Sequence, residues 1–101
     1  MTLFEKRCYE ALMEVPAGRV NDYASLARLA GYSGAHRAVG NAMNKNPWAP
    51  QVPCHRVVRS DGSIGGFASD VSVKIQRLDA EGVLTHKGKI VNFQQKRYPL
   101  P

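Results

Sequence analysis

Long apolar runs are missing from this chain of 101 residues, and none approaches the ~20 residues that a membrane-crossing helix needs. The first residues, Met1 to Arg7, hold no apolar stretch of signal-peptide type. The expected setting is therefore a reducing, intracellular compartment, with no membrane partner. Cysteine is scarce. With only Cys8 and Cys54, a multi-disulfide framework is excluded, and neither residue has a second cysteine or a histidine at zinc-finger spacing. No metal site is implied. Cys8 falls in a helical apolar stripe and Cys54 in a Pro-flanked turn beside His55, contexts that argue against their pairing. Repeats, low-complexity tracts and linker-like stretches are absent as well. The remaining composition, 44% hydrophobic and 22% charged, suits one globular domain over residues 1–101.

Acidic residues are few too: 8 against 14 lysines and arginines, for a net charge of +6. The imbalance is local. From Val15 to Ser60 the six cations Arg19, Arg28, Arg37, Lys45, Arg56 and Arg59 stand against a single acid, Asp22. Such a segment draws polyanions, DNA or RNA first, although a solubilising surface has the same composition.

Helical periodicity is what the chain does have. Phe4, Cys8, Ala11, Leu12 and Val15 recur at i, i+4, i+7, i+8 and i+11, one face of a helix that Pro16 and Gly18 end. Asn21 or Asp22 caps a second helix, with Leu26, Leu29 and Ala30 inward and Gly31 as its stop. Ser33 opens a third, with Ala35, Val39, Ala42 and Met43 inward, closing before Asn46-Pro47. Short helices joined by a Gly-containing turn outline a helix-turn-helix, the third helix being its reader. Beyond Pro50, Arg56 to Arg59 is a short β-type run, and Ser60-Asp61-Gly62-Ser63 is a hairpin-type turn leading to Ile64. A hairpin there would be the wing of a winged helix. Gly65-Gly66-Phe67 reads as a loop. Ser69 or Asp70 caps a last helix with Val71, Ile75 and Leu78 inward and Gly82 as terminator, and a second hairpin lies around Leu84 and Lys89 to Val91. The expected fold class is mainly α with a short β hairpin, a winged helix-turn-helix domain.

The most informative stretch is Val52-Pro53-Cys54-His55-Arg56-Val57-Val58. A cysteine attacks as thiolate, and a neighbouring imidazole or guanidinium favours that form. In an extended segment His55 would point away from Cys54, so a catalytic contact requires a turn or a bridging water. A buried cysteine beside a surface histidine has the same sequence.

This stretch resembles the active-site motif of the O6-alkylguanine-DNA alkyltransferases. Tyr23, the run Arg37-Ala38-Val39-Gly40, Asn46-Pro47, Gly65-Gly66-Phe67, Lys74 and Glu81-Gly82 also fall where that family's pattern has them, from Phe4 to Gly82 without gaps. The resemblance is to the family's C-terminal, catalytic domain, without the usual N-terminal domain. It implies stoichiometric transfer of an alkyl group from guanine O6 in double-stranded DNA to Cys54, with no cofactor and a monomeric protein. By the same resemblance, His55 accepts the thiol proton through a water, Glu81 orients that imidazole, Tyr23 donates its hydroxyl to the leaving base, and Lys74 joins the catalytic set. The N–H of Ala68 faces the guanine oxygen, while the carbonyls of Cys54 and Val57 accept from the exocyclic amine.

A base stacked in a duplex is out of reach, so it must be flipped out. Arg37 resembles the family's finger, which fills the gap in the stack. The small residues Gly34, Ala35, Ala38 and Gly40 would let the helix enter the minor groove, although they also suit close helix packing. Asn46 resembles a hinge that ties its turn to the active-site segment. Phe67, replacing a commoner tyrosine, still offers a ring to the flipped base. His36 and Asp70 depart from the family pattern, the first in bulk and the second in charge. Two rivals remain: an alkyltransferase-like protein that binds the lesion without transfer, whose cysteine is replaced by another residue, and a plain winged-helix regulator.

Overall fold

The computed structural model describes residues 1–67 and 70–98. Ala68 and Ser69, assigned above to oxygen contact and to helix capping, lie outside the described residues.

Three helices form the first half. The capping box opens α1 (Leu3–Leu12): Thr2 accepts from the Glu5 N–H at 3.1 Å, and Glu5 accepts from the Thr2 N–H at 2.9 Å. The helix ends one turn earlier than its apolar stripe, yet Val15 stays buried because its N–H folds back onto the Leu12 carbonyl. A two-residue strand, β1 (Asn21–Asp22), leads into α2 (Tyr23–Leu29), and of the two candidate caps Asp22 is the one used. Gly31 follows α2 with φ +91°, the left-handed conformation that terminates helices. The third helix, α3 (His36–Asn44), is not opened by Ser33; its N-cap is Ala35, with no side-chain cap bond. Leu26, Ala27, Val39, Ala42 and Met43 meet Cys8 and Leu12 in one core, but Leu29 is 42% exposed, contrary to its inward assignment. Seven residues make only two turns of α2, and its buried face is filled by Leu26 and Ala27.

The second half carries the site. Cys54–Arg56 form one 3-10 turn, followed by β2 (Val57–Val58). The tight turn after it exists, since the Gly62 N–H reaches the Arg59 carbonyl at 2.9 Å. It does not fold β2 into a hairpin, however. β2 pairs in parallel with β1, Asn21 opposite Val57 and Asp22 opposite Val58. Val57 points into the helical core, whereas Val58 joins Val20, Ile64, Leu78, Val83 and Ile90 in a second core. The hairpin is the later one, β3 (Thr85–His86) with β4 (Lys89–Ile90), and Ser63 bridges to Lys89 at its side. Before it, α4 (Val71–Ala80) is capped by Asp70 and terminated at Gly82, φ +82°. Its Val71 is 38% exposed, so Leu78 and Lys74 fill the buried face instead. A short α5 (Phe93–Lys96) closes the described chain. The whole is a mainly helical helix-turn-helix fold with small strands.

Candidate active site

Cys54 opens the 3-10 turn behind the buried Pro53, with 5% of its surface exposed. The Val52 carbonyl accepts from both the Cys54 N–H, at 2.9 Å, and the Asn46 side-chain amide, at 2.7 Å. The other end of that amide accepts from the Trp48 N–H at 3.0 Å, which fixes its orientation. Asn46 therefore joins the turn after α3 to the segment that carries the thiol.

His55 is not a surface residue; it is 2% exposed. The turn drives it inward, where Nε2 lies 3.0 Å from Glu81 Oε2 at the end of α4. Arg56 clamps the same carboxylate, Nε to Oε1 at 3.0 Å and Nη2 to Oε2 at 2.7 Å, and its Nη1 donates to the Val15 carbonyl at 2.8 Å. Burial pushes the Glu81 carboxyl up, but the hydrogen bonds and charges of Arg56 and His55 outweigh that and leave it below its ordinary pKa. An ionised carboxylate only accepts, so the proton of a neutral His55 sits on Nε2 and its lone pair on Nδ1. Nδ1 is buried with no hydrogen-bond partner among the described residues. Burial holds the imidazole below its ordinary 6.5; the Glu81 bond and charge oppose this, while Arg56 and Arg77 add to it. Because Arg56 already compensates Glu81, His55 stays neutral at pH 7, with a free basic nitrogen.

Lys74 is fully buried, its ammonium donating to the carbonyls of Ile64 at 2.6 Å and Gly66 at 3.0 Å. It stands 6.0 Å from the ring centres of both Tyr23 and Phe67. Burial lowers its pKa to about 8, Arg59 acting the same way and the charge of a Cys54 thiolate opposing both. Tyr23 starts α2 and its ring lies between α3 and the loop: a methyl group on Gly65 would come within 3.4 Å of its hydroxyl, and one on Gly40 within 4.0 Å of its ring. Burial raises the phenol's pKa, and Arg59 only partly offsets it, so at pH 7 the hydroxyl is a neutral donor. A groove of about 550 Å³ adjoins the site through Tyr23 and passes His36, Gly40 and Arg59.

The remaining residues are spread around this centre. Arg37 and Ala38 are exposed on α3, and Arg37 makes no side-chain hydrogen bond or ion pair among the described residues. Gly34 is exposed before α3 with φ +88°, while Ala35 is partly buried. Val57 is fully buried in β2, and Phe67 packs partly into the helical core with the Arg77 guanidinium 5.7 Å from its ring. Asp70 acts as a cap, accepting from the Ser72 N–H at 2.8 Å. Arg56 counts among the cations of the basic segment, yet it points inward onto Glu81; its place inside the Pro-Cys-His-Arg motif is the available signal. Among the described residues, no three His, Cys, Asp or Glu side chains gather closely enough to hold a metal ion, and no helix is long and apolar enough to cross a membrane.

A helix-turn-helix that carries a buried thiol next in sequence to a linked histidine, glutamate and arginine defines the class. Residues 3–83 match the family model of the 6-O-methylguanine DNA methyltransferase, DNA binding domain. The methylated-DNA–protein-cysteine methyltransferase of Methanosarcina acetivorans is 43% identical over 81 residues, 80% of this chain and 52% of the relative. In structure, the chain is similar to Mycobacterium tuberculosis OGT in complex with DNA, with a TM-score of 0.78 and 38% identity over 80% of this chain and 50% of that one. It is also similar to S. pombe Atl1 in complex with damaged DNA containing O6-carboxymethylguanine, with a TM-score of 0.85 and 31% identity over 97% of this chain and 96% of that one. The chain belongs to the 6-O-methylguanine DNA methyltransferase family. It spans about half the length of the curated relatives it matches.

Proposed function

We propose that this protein repairs duplex DNA by moving an alkyl group from guanine O6 to Cys54, once per molecule, working as a monomer and a single winged-helix unit. In this reading it corresponds to the C-terminal, catalytic domain of its longer relatives. The observation that carries it is the unpartnered, lone-pair-bearing Nδ1 of His55, the residue next to Cys54 in the same 3-10 turn, held through Nε2 by the Glu81 carboxylate that Arg56 clamps. His55 takes the thiol proton, through a water, at that nitrogen. The sulfur then attacks the alkyl carbon; the carbon–oxygen bond breaks as the carbon–sulfur bond forms, and the electron pair leaves with the guanine. The Tyr23 hydroxyl donates to the base as its negative charge grows, in the manner of a preorganised donor. Buried and cationic, Lys74 pins the Ile64–Gly66 loop against Tyr23 and adds positive potential where that charge develops. Val57 and Cys54 offer carbonyls to the exocyclic amine, Phe67 its ring to the flipped base, and Ala68 its N–H to the guanine oxygen.

A thioether has no leaving step that water can complete. A titration of methylated duplex in excess should therefore plateau at one alkyl group per chain, on Cys54 by mass spectrometry. The alkylated chain should also melt earlier, because an added carbon in a packed site costs about 1–3 kcal/mol. Product formation past equivalence would sink the reading. The same titration addresses the second reading, lesion binding without transfer. The near-complete two-way coverage with Atl1 favours that one and the retained Cys54 opposes it. A chain that binds the duplex and gains no mass would establish it.

Arg37 stands on α3 with no protein partner among the described residues, and Gly34, Ala35, Ala38 and Gly40 keep the helix surface around it low. In the proposed complex it fills the gap left by the flipped base. Arg37→Ala should slow transfer from duplex DNA by roughly tenfold or more, since extrusion costs a few kcal/mol. Transfer from free O6-methylguanine, which needs no extrusion, should be unchanged. Equal slowing on both substrates would make Arg37 a folding residue instead.

A further inference from the structure

The family match ends at Val83, yet the chain beyond it reaches back to the start of α2. The Val20 N–H donates to the Lys96 carbonyl at 2.8 Å, and the Tyr98 N–H to the Val20 carbonyl at 2.8 Å. Both backbone groups of Val20 thus face the tail. Alternation along an extended strand then leaves the opposite edge to β2, so residues 20–22 run between the thiol segment and the tail. Arg19 adds a bond from its guanidinium to the Gln95 carbonyl.

Asp22 lies at the centre of this junction and is 2% exposed. Its carboxylate accepts from the Ser25 N–H and hydroxyl, both at 2.9 Å, which caps α2. Arg97 is its ion-pair partner among the described residues, at 3.2 Å, and that guanidinium is itself steadied 5.4 Å above the Phe93 ring. Removing the cation would leave a buried carboxylate uncompensated, a state that draws in water and loosens what the carboxylate holds. What it holds is the first turn of α2, and the first residue of that turn is Tyr23.

We propose that residues 93–98 are a brace that sets the position of the Tyr23 hydroxyl, with Arg97 acting as a positioning residue through Asp22. The inference rests on the reading of Tyr23 as donor to the leaving base. Tyr23 is the first residue of α2 and its ring lies between Gly40 and Gly65, so displacement of the helix start moves the hydroxyl.

The test is a double-mutant cycle on single-turnover transfer from methylated duplex. Arg97→Ala should slow transfer by roughly ten- to a hundredfold, the scale that a misplacement near 1 Å produces, while affinity for the same duplex is retained. Arg97→Lys, which keeps the charge, should recover most of the rate. In a Tyr23→Phe background, Arg97→Ala should add little further slowing, because the group it positions is gone. Should Arg97→Ala melt too low to assay, Asp22→Asn keeps the cap and removes the charge pair, and it should show the same dependence on Tyr23. A slow Tyr23→Phe chain in which either variant still subtracts its full factor would overturn the brace alone. A Tyr23→Phe chain that transfers at full rate would overturn the donor reading, and the brace with it.

Discussion

Replacing Cys54 by alanine should abolish alkyl acceptance while leaving affinity for methylated duplex nearly intact. In the proposed transfer the sulfur is the reacting atom, and with 5% of the residue exposed it offers a bound duplex almost no contact area. The backbone that shapes the turn, from the Val52 carbonyl to the Val57 N–H, does not depend on the side chain. Losing one buried atom should cost about 1 kcal/mol, too little to unfold the chain. Nor can the other thiol substitute. Cys8 is fully buried in the helical core, and burial, with the Glu5 charge, pushes its pKa up and away from thiolate. Mass spectrometry after incubation with methylated duplex, beside a binding titration, checks both halves. A methyl group found on Cys8 would overturn the assignment, and lost binding would make Cys54 a folding residue.

What the sequence disclosed and what it withheld divide along the range of the interactions. The stripe of α1, the stop at Gly31, the caps at Asp22 and Asp70 and the terminator Gly82 are local features, readable within a single helix and its ends. The parallel pairing of β1 with β2 is not local. Two-residue strands have too few positions to show a period, and their partner is 36 positions away, so Val57-Val58 was readable as β-type but not as the neighbour of Asn21-Asp22. Leu29 and Val71 fit the apolar period and still face outward, because short helices bury a narrower face than the period allows. Within the site, the motif alone carried Cys54, His55 and Glu81. Counting charges misdirected Arg56, since a count cannot tell a cation facing solvent from one clamped on a carboxylate. Arg97 and Asp22, 75 positions apart, left no trace that a local reading could find.

The chain from Glu81 to His55 gives the other large effect. In Glu81→Gln the side chain keeps its size but has one oxygen to meet three N–H groups: His55 Nε2, Arg56 Nε and Arg56 Nη2. Whichever way the amide turns, one donor faces another, and in the proposed transfer the imidazolium formed when His55 takes the thiol proton loses its counter-charge. Transfer should fall by a factor on the order of a hundred to ten thousand, the usual weight of general base catalysis. The misplaced donor should lower stability by about 1–3 kcal/mol. A rise in pH separates chemistry from folding. Hydroxide can take the thiol proton without His55, so the variant should regain rate as pH rises, more steeply than the parent. The parent should hold its rate as pH falls to 6.5 and below, because burial keeps His55 neutral beyond its ordinary pKa. Its stability should behave differently. Below about pH 6.5 the unfolded chain binds a proton that the folded His55 refuses, so stability falls as pH drops through that range and on through the lowered His55 pKa. The depressed carboxyl of Glu81 works in the same direction below 4.5. Stopped-flow transfer and thermal melts across pH would measure the two curves. A Glu81→Gln chain slowed only as much as its melting explains, with no recovery at high pH, would reduce Glu81 to a structural anchor.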